Sequence, residues 1–169
     1  MFKLDAYDFE WICGDKDDPK DGCLHGRALM QTESFTVEDI ATVSATALYL
    51  LRTLTEDHIC GEGAQMFPCC AHFMVPDDDI QNVWIDHCDI GVDWTVLHRD
   101  GNVKIILKSG EETEVDFKIY QEEVFRFADK IEAYYNSCSP KQFDDEFKRN
   151  AYIAFWNEWH RRRNGNIKI

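Results

Sequence analysis

The chain has 169 residues, 44% of them hydrophobic and 13% aromatic, which suits one domain with a packed core and argues against intrinsic disorder. Its formal net charge is −14. Residues 1–100 carry all of that imbalance, with 20 Asp/Glu against 6 Lys/Arg, whereas residues 101–169 hold 12 of each. A field of this sign repels nucleic acid and anionic membrane and draws in cationic partners.

The opening segment alternates as a half-buried strand does, with Phe2 and Leu4, then Tyr7, Phe9, Trp11 and Cys13 after a one-residue slip of phase. Asp15 to Gly22 is an acidic, turn-rich loop, and a second short strand is expected within Cys23–Thr32. Val37, Ile40, Ala41, Ser44, Ala47, Leu48, Leu51 and Leu54 recur at helical steps, which predicts a central helix over 36–57. Thr36 followed by Asp39 resembles the capping box that would start it. From 65 to 119 the period becomes that of strands. Asp100-Gly101 lies between the alternating runs Trp94–His98 and Val103–Leu107, a strong hairpin signal, and a further turn at Ser109-Gly110 leads to Val115–Ile119. An antiparallel meander is therefore expected over 92–119. Two helices close the chain, at 120–137 and 140–163, the second with Ser139 as N-cap, Pro140 in its first position and Arg161–Arg163 in its last turn. With no linker or repeat in the way, the expectation is a single domain spanning 1–169. Its class is α+β, a mainly antiparallel sheet of about six or seven strands packed by helices.

The amino terminus lacks a basic stretch followed by an apolar one, no run nears the roughly 18 apolar residues of a spanning helix, and no lipidation motif is present. The reading is a cytoplasmic chain. Its seven cysteines are an odd set at irregular spacings, as expected of reduced thiols.

Several constellations bear on chemistry. His25, His58, His72 and His87 each lie within two residues of a cysteine. On a strand, positions i and i+2 share a face, so Cys23 with His25 and Cys70 with His72 could each present two ligands to one point, together making a zinc site. Against this stand the missing knuckle spacings and the ordinary place of thiols and imidazoles in cores. A Cys–His nucleophile would need an electropositive setting, and this half of the chain is strongly negative. Asp15, Asp17, Asp18 and Asp21 in one loop and Asp77, Asp78 and Asp79 in another do not fit a calcium loop, and they read first as a solvated acidic face. Gly61-Glu-Gly63 lacks the Lys-Ser/Thr of a phosphate loop. No nucleophile elbow, HExxH or kinase set is present. Trp156 and Trp159 make an aromatic ridge that is expected to be covered.

In size, acidity and paucity of motifs, though in no aligned motif, the chain resembles bacterial immunity proteins. What that resemblance implies is a non-catalytic binding module that docks a basic protein, such as a nuclease with a phosphate-attracting cleft, and needs no cofactor. Asp15, Asp17, Asp18, Asp21, Asp77, Asp78 and Asp79 are then the expected partner-binding residues. The alternative is a metal protein or enzyme on the Cys/His clusters, with zinc held by Cys23, His25, Cys70 and His72. Oligomeric state and sheet order cannot be read from the sequence.

Overall fold

A computed structural model describes residues 1–165 and shows an α+β fold of ten strands and three helices. The strands are all antiparallel to their partners but form four small sheets, where one larger sheet was expected.

The first sheet is a meander of β1 (Phe2–Glu10), β2 (His25–Thr32) and β3 (Thr36–Ala41). The slip of phase in β1 is real. Its register against β2 breaks between Tyr7 and Glu10, where Asp8 takes a φ of 55°, so Phe2, Leu4 and Ala6 point inward before the break and Trp11 after it. The helix expected over 36–57 is corrected by β3. Residues 36–41 pair with β2 from Gln31↔Thr36 to Gly26↔Ala41, and only α1 (Val43–Arg52) is helical. Thr36, Val37 and Ile40 are β-branched and suit a strand, in which Val37 and Ala41 share the inner face and Ile40 is left 59% exposed on the other. Nine consecutive residues of α1, Val43 to Leu51, are buried, which marks it as the central core helix.

The expected meander stands as β8 (Trp94–Arg99), β9 (Asn102–Leu107) and β10 (Glu112–Asp116). Its first turn uses Asp100 at φ 44° and Gly101 at φ 84°, the paired positive dihedrals that a two-residue hairpin needs. α2 (Phe117–Ser137) follows at once, capped by the Asp116 carboxylate, which accepts from the Lys118 and Ile119 N–H groups. It packs against α1 and β1.

α3 (Glu146–Asn164) starts later than expected. Its N-cap is Asp145, whose carboxylate accepts from the Phe147 and Lys148 N–H groups. Ser139 and Pro140 lie in the connection before it. The Ser139 hydroxyl and N–H donate to Asp17, and Gln142 N–H donates to Pro19 O at 2.7 Å, so the groups that would have opened the helix instead tether the acidic loop.

Two ribbons complete the fold: β4 (Phe67–Pro68) with β7 (Gly91–Val92), and β5 (Phe73–Pro76) with β6 (Val83–Asp86). One buried cluster runs from Phe2 to Trp159 and draws on all three helices, with Trp11, Trp94 and Trp159 fully enclosed. No described helix is long and apolar enough to cross a membrane.

Candidate functional site

The β5–β6 ribbon lies on α3, and its register places Phe73 opposite Asp86 and Val75 opposite Trp84. Side chains alternate across a strand, so Met74, Val83 and Ile85 turn inward while Phe73, Val75, Trp84 and Asp86 share the outer face. Among the described residues that face is largely open. Trp84 is 57% exposed and Phe73 53%. Phe73 stacks on Phe147 of α3, with ring centroids 6.0 Å apart, and both line a cleft of about 620 Å³, counting its open mouth. Cys23, His72, Lys20 and Lys148 line it as well.

The sequence of this ribbon carries charge of one sign, although Arg52 and Arg161 reach it from α1 and α3 and Lys20 and Lys148 line the cleft beside Phe73. Residues 53–98 contain nine Asp/Glu and no Lys or Arg. Some of the nine are used internally. Glu56 pairs with Arg162, Asp57 accepts from His98, and Asp93 accepts from His58 at 2.8 Å and from the Gly61 and Met66 N–H groups. Burial opposes charge on Asp93, but those donors hold its carboxyl below the usual carboxylate range. Asp78, Asp79, Asp86 and Asp89 are exposed, and their carboxylates form no ion pair among the described residues.

The acidic positions singled out from sequence do not form one patch. Asp77 closes its own turn, accepting from Gln81 N–H, Asn82 N–H and the Asn82 amide, so its carboxyl is held low by those donors. Asp78 and Asp79 stand free at the tip of the ribbon. In the other loop, Asp17 is bound to Ser139, and Asp21 accepts from the Ile12 and Cys23 N–H groups at 2.8 Å each. Asp18 accepts from Lys20 N–H, and Asp15 is exposed. Arg161 binds Gln81 O near the ribbon tip, while Phe147, near the start of α3, lines the cleft with Lys20 and Asp21, so the two acidic segments lie toward opposite ends of α3. The terminal arginines are engaged too: Arg162 with Glu56 and Glu158, and Arg163 with Asp129.

Three of the four residues proposed from sequence as metal ligands do meet. The Cys23 thiol donates to His72 O at 3.8 Å, the His25 and His72 rings lie 5.0 Å apart, and the His25 Nε2 lies 3.3 Å from the Thr42 hydroxyl. The His25 Nδ1 is enclosed without a partner. Cys70 does not join them. Among the described residues no three His, Cys, Asp or Glu side chains are placed to hold a metal ion. Burial pushes the Cys23 thiol up to about 12, and burial together with nearby His72 holds the His25 imidazole below its ordinary value, so this pair rests as a protonated thiol beside a neutral ring.

Comparison with family models, with curated proteins and with solved structures finds no match.

Proposed function

We propose that the protein is a non-catalytic protein-binding module, and that the outer face of the β5–β6 ribbon docks a basic partner protein. The observation that carries this reading is a pair of half-exposed aromatic side chains, Trp84 and Phe73, on a ribbon where Asp78, Asp79, Asp86 and Asp89 are exposed without an ion pair among the described residues, in a stretch, residues 53–98, that has no Lys or Arg. Exposed aromatic anchors beside unpaired acidic charge suit a cationic protein surface bearing an apolar pocket: the charges speed encounter, and the rings supply the buried contact. An immunity-like inhibitor of a basic enzyme is one protein of this kind. The Asp15–Asp21 loop contributes to the long-range field more than to contact, because Asp17 and Asp21 are already bound within the fold.

The Cys23, His25 and His72 group supports a metal or enzymatic reading less well. A thiol held up to about 12 is a poor nucleophile, and among the described residues no three His, Cys, Asp or Glu side chains converge on one point.

Capture from a lysate at low salt tests the proposal, with the wild type run beside a Trp84→Ala/Asp86→Asn/Asp89→Asn variant. The expected result is one basic protein retained by the wild type, released by added salt and not retained by the variant. Equal retention by both proteins, or a partner indifferent to salt, would overturn it.

A further inference from the structure

The cleft beside the β5–β6 ribbon has three walls. Lys20 to Cys23 of the acidic loop form one, the first turns of α3 a second, and His72 to Met74 the third. The loop wall is pinned to the connection before α3: Asp17 accepts from the Ser139 hydroxyl, Pro19 O from Gln142 N–H, and Asp18 O from the Lys141 ammonium. The Phe143 ring packs on Tyr152, with centroids 5.2 Å apart, and lies so near Gly22 that a Cβ there would come within 3.1 Å of it. Opposite the loop, the stacked rings of Phe73 and Phe147 make an aromatic wall that Met74 extends. The hollow is thus formed before anything enters it. At about 620 Å³ with its mouth, it is of the size that takes a small molecule.

Its charge differs from that of the chain as a whole. Among the described residues, only four Lys or Arg side chains, those of Lys20, Lys108, Lys118 and Lys148, form neither a hydrogen bond nor an ion pair. Two of these four, Lys20 and Lys148, line this one cleft. Asp21 is the single acidic residue lining it, and its two carboxylate oxygens already accept from the Ile12 and Cys23 N–H groups at 2.8 Å each. The Cys23 thiol, pushed up to about 12 by burial, adds no negative charge.

We propose that the cleft binds a small aromatic carboxylate, whose carboxylate accepts from the Lys20 and Lys148 ammoniums and whose ring lies against Phe73, Phe147 and Met74. The acid gives two unpaired ammoniums a counter-ion in a partly enclosed place, where charge-assisted hydrogen bonds are strongest. A flat ring suits the wall because stacked and edge contacts with phenylalanine add to the area it buries. The net charge of −14 opposes an anion at a distance, but that field is screened over roughly 8 Å in physiological salt, whereas the ammoniums act at contact. Binding here does not require a protein docked at Trp84, which does not line the cleft.

Calorimetric titration of the full chain with naphthoate, naphthamide and naphthylmethylamine tests the assignment, since these share a ring system and differ in charge. One equivalent of naphthoate should bind, with the amide about tenfold weaker and the amine weaker still. Both lysines are exposed, so a Lys20→Ala/Lys148→Ala variant keeps the fold. It should lose about tenfold in affinity for naphthoate and almost none for the amide. Lys20→Arg/Lys148→Arg should bind naphthoate as the wild type does, and Trp84→Ala should change nothing. Failure of naphthoate to bind would overturn the proposal, as would an amine held as tightly as the acid. So would naphthoate binding that survives the paired alanine variant undiminished or is abolished by Trp84→Ala.

Discussion

Glu158 ties three elements together with one carboxylate. It is 1% exposed; Oε1 accepts from the Nε atoms of Arg52 and Arg162 at 2.8 Å each, and Oε2 accepts from Arg52 Nη2 at 2.9 Å and Val83 N–H at 3.1 Å. Arg52 Nη2 also donates to Val83 O at 2.6 Å, so α1, α3 and β6 share a single knot. Glu158→Ala would strip two guanidinium groups of their shared buried carboxylate, leaving Arg52 only Val83 O and Arg162 the more exposed Glu56, and should cost roughly 3 kcal/mol in urea unfolding. The knot also sets a dependence on acid. Burial opposes charge on Glu158, but Arg52, Val83 and Arg162 hold its carboxyl below the ordinary glutamate value of 4.5. On acidification the unfolded chain therefore takes up its proton first. The contribution is complete above 4.5 and is lost as pH falls through the lower folded value. A pH series of unfolding midpoints should decline below that point and decline less in Glu158→Ala. At this scale the sequence reveals little. The run Val83-Trp84-Ile85 is apolar throughout, so nothing in it says that the central ring alone faces outward. Likewise an aspartate that closes its own turn, as Asp77 does, reads the same as the free Asp78 and Asp79 beside it.

Elements were more legible than single side chains, and the misses have physical causes. The 92–119 meander could be read because Asp100-Gly101 is demanded by the dihedrals of its turn. The start of α1 could not, because Val37, Ile40 and Ala41 continue the helical stripe of the residues after them, and only pairing with β2 makes them a strand, at the cost of leaving Ile40 exposed. Ser139-Pro140 carries every local sign of a helix start, yet a tertiary contact with Asp17 and Pro19 occupies its donors. Asp145→Ala should therefore cost about 1 kcal/mol of stability as a lost N-cap. Ser139→Ala should leave α3 intact and loosen the 15–21 loop, seen as faster amide exchange there. Gly91→Ala is expected to cost more, about 2–3 kcal/mol, since its new methyl group would collide with the Phe67 carbonyl at a φ that side chains rarely adopt. The same substitution should pull β4 from β7, and amide exchange at Cys69 would report it.

At the scale of the molecule, the buried cluster joins all three helices to the strands packed between them, and the β5–β6 ribbon is fastened to it by Glu158, Val83 and Ile85. Such a core should unfold as one unit. Far-ultraviolet dichroism and near-ultraviolet dichroism are expected to give coincident urea transitions, and a ribbon that melted first would separate them. The charge asymmetry seen in the sequence survives folding in a reduced form. Of the 20 acidic residues in positions 1–100, Glu56 is drawn off by Arg162 of α3 and Asp5 by Lys3 and Lys130, and internal donors engage Asp17, Asp21, Asp77 and Asp93, so fewer stand unengaged than the count would suggest.

The distribution of the five indoles has an optical consequence. Trp11, Trp94 and Trp159 are sealed and Trp156 is half-covered, whereas Trp84 stands 57% in water. Acrylamide should quench the red edge of the emission first, and replacing Trp84 with Phe should remove most of that component. The molecule thus carries a native fluorophore on its least protected surface, one whose spectrum shifts to the blue when that surface is shielded and is left largely unchanged by events elsewhere.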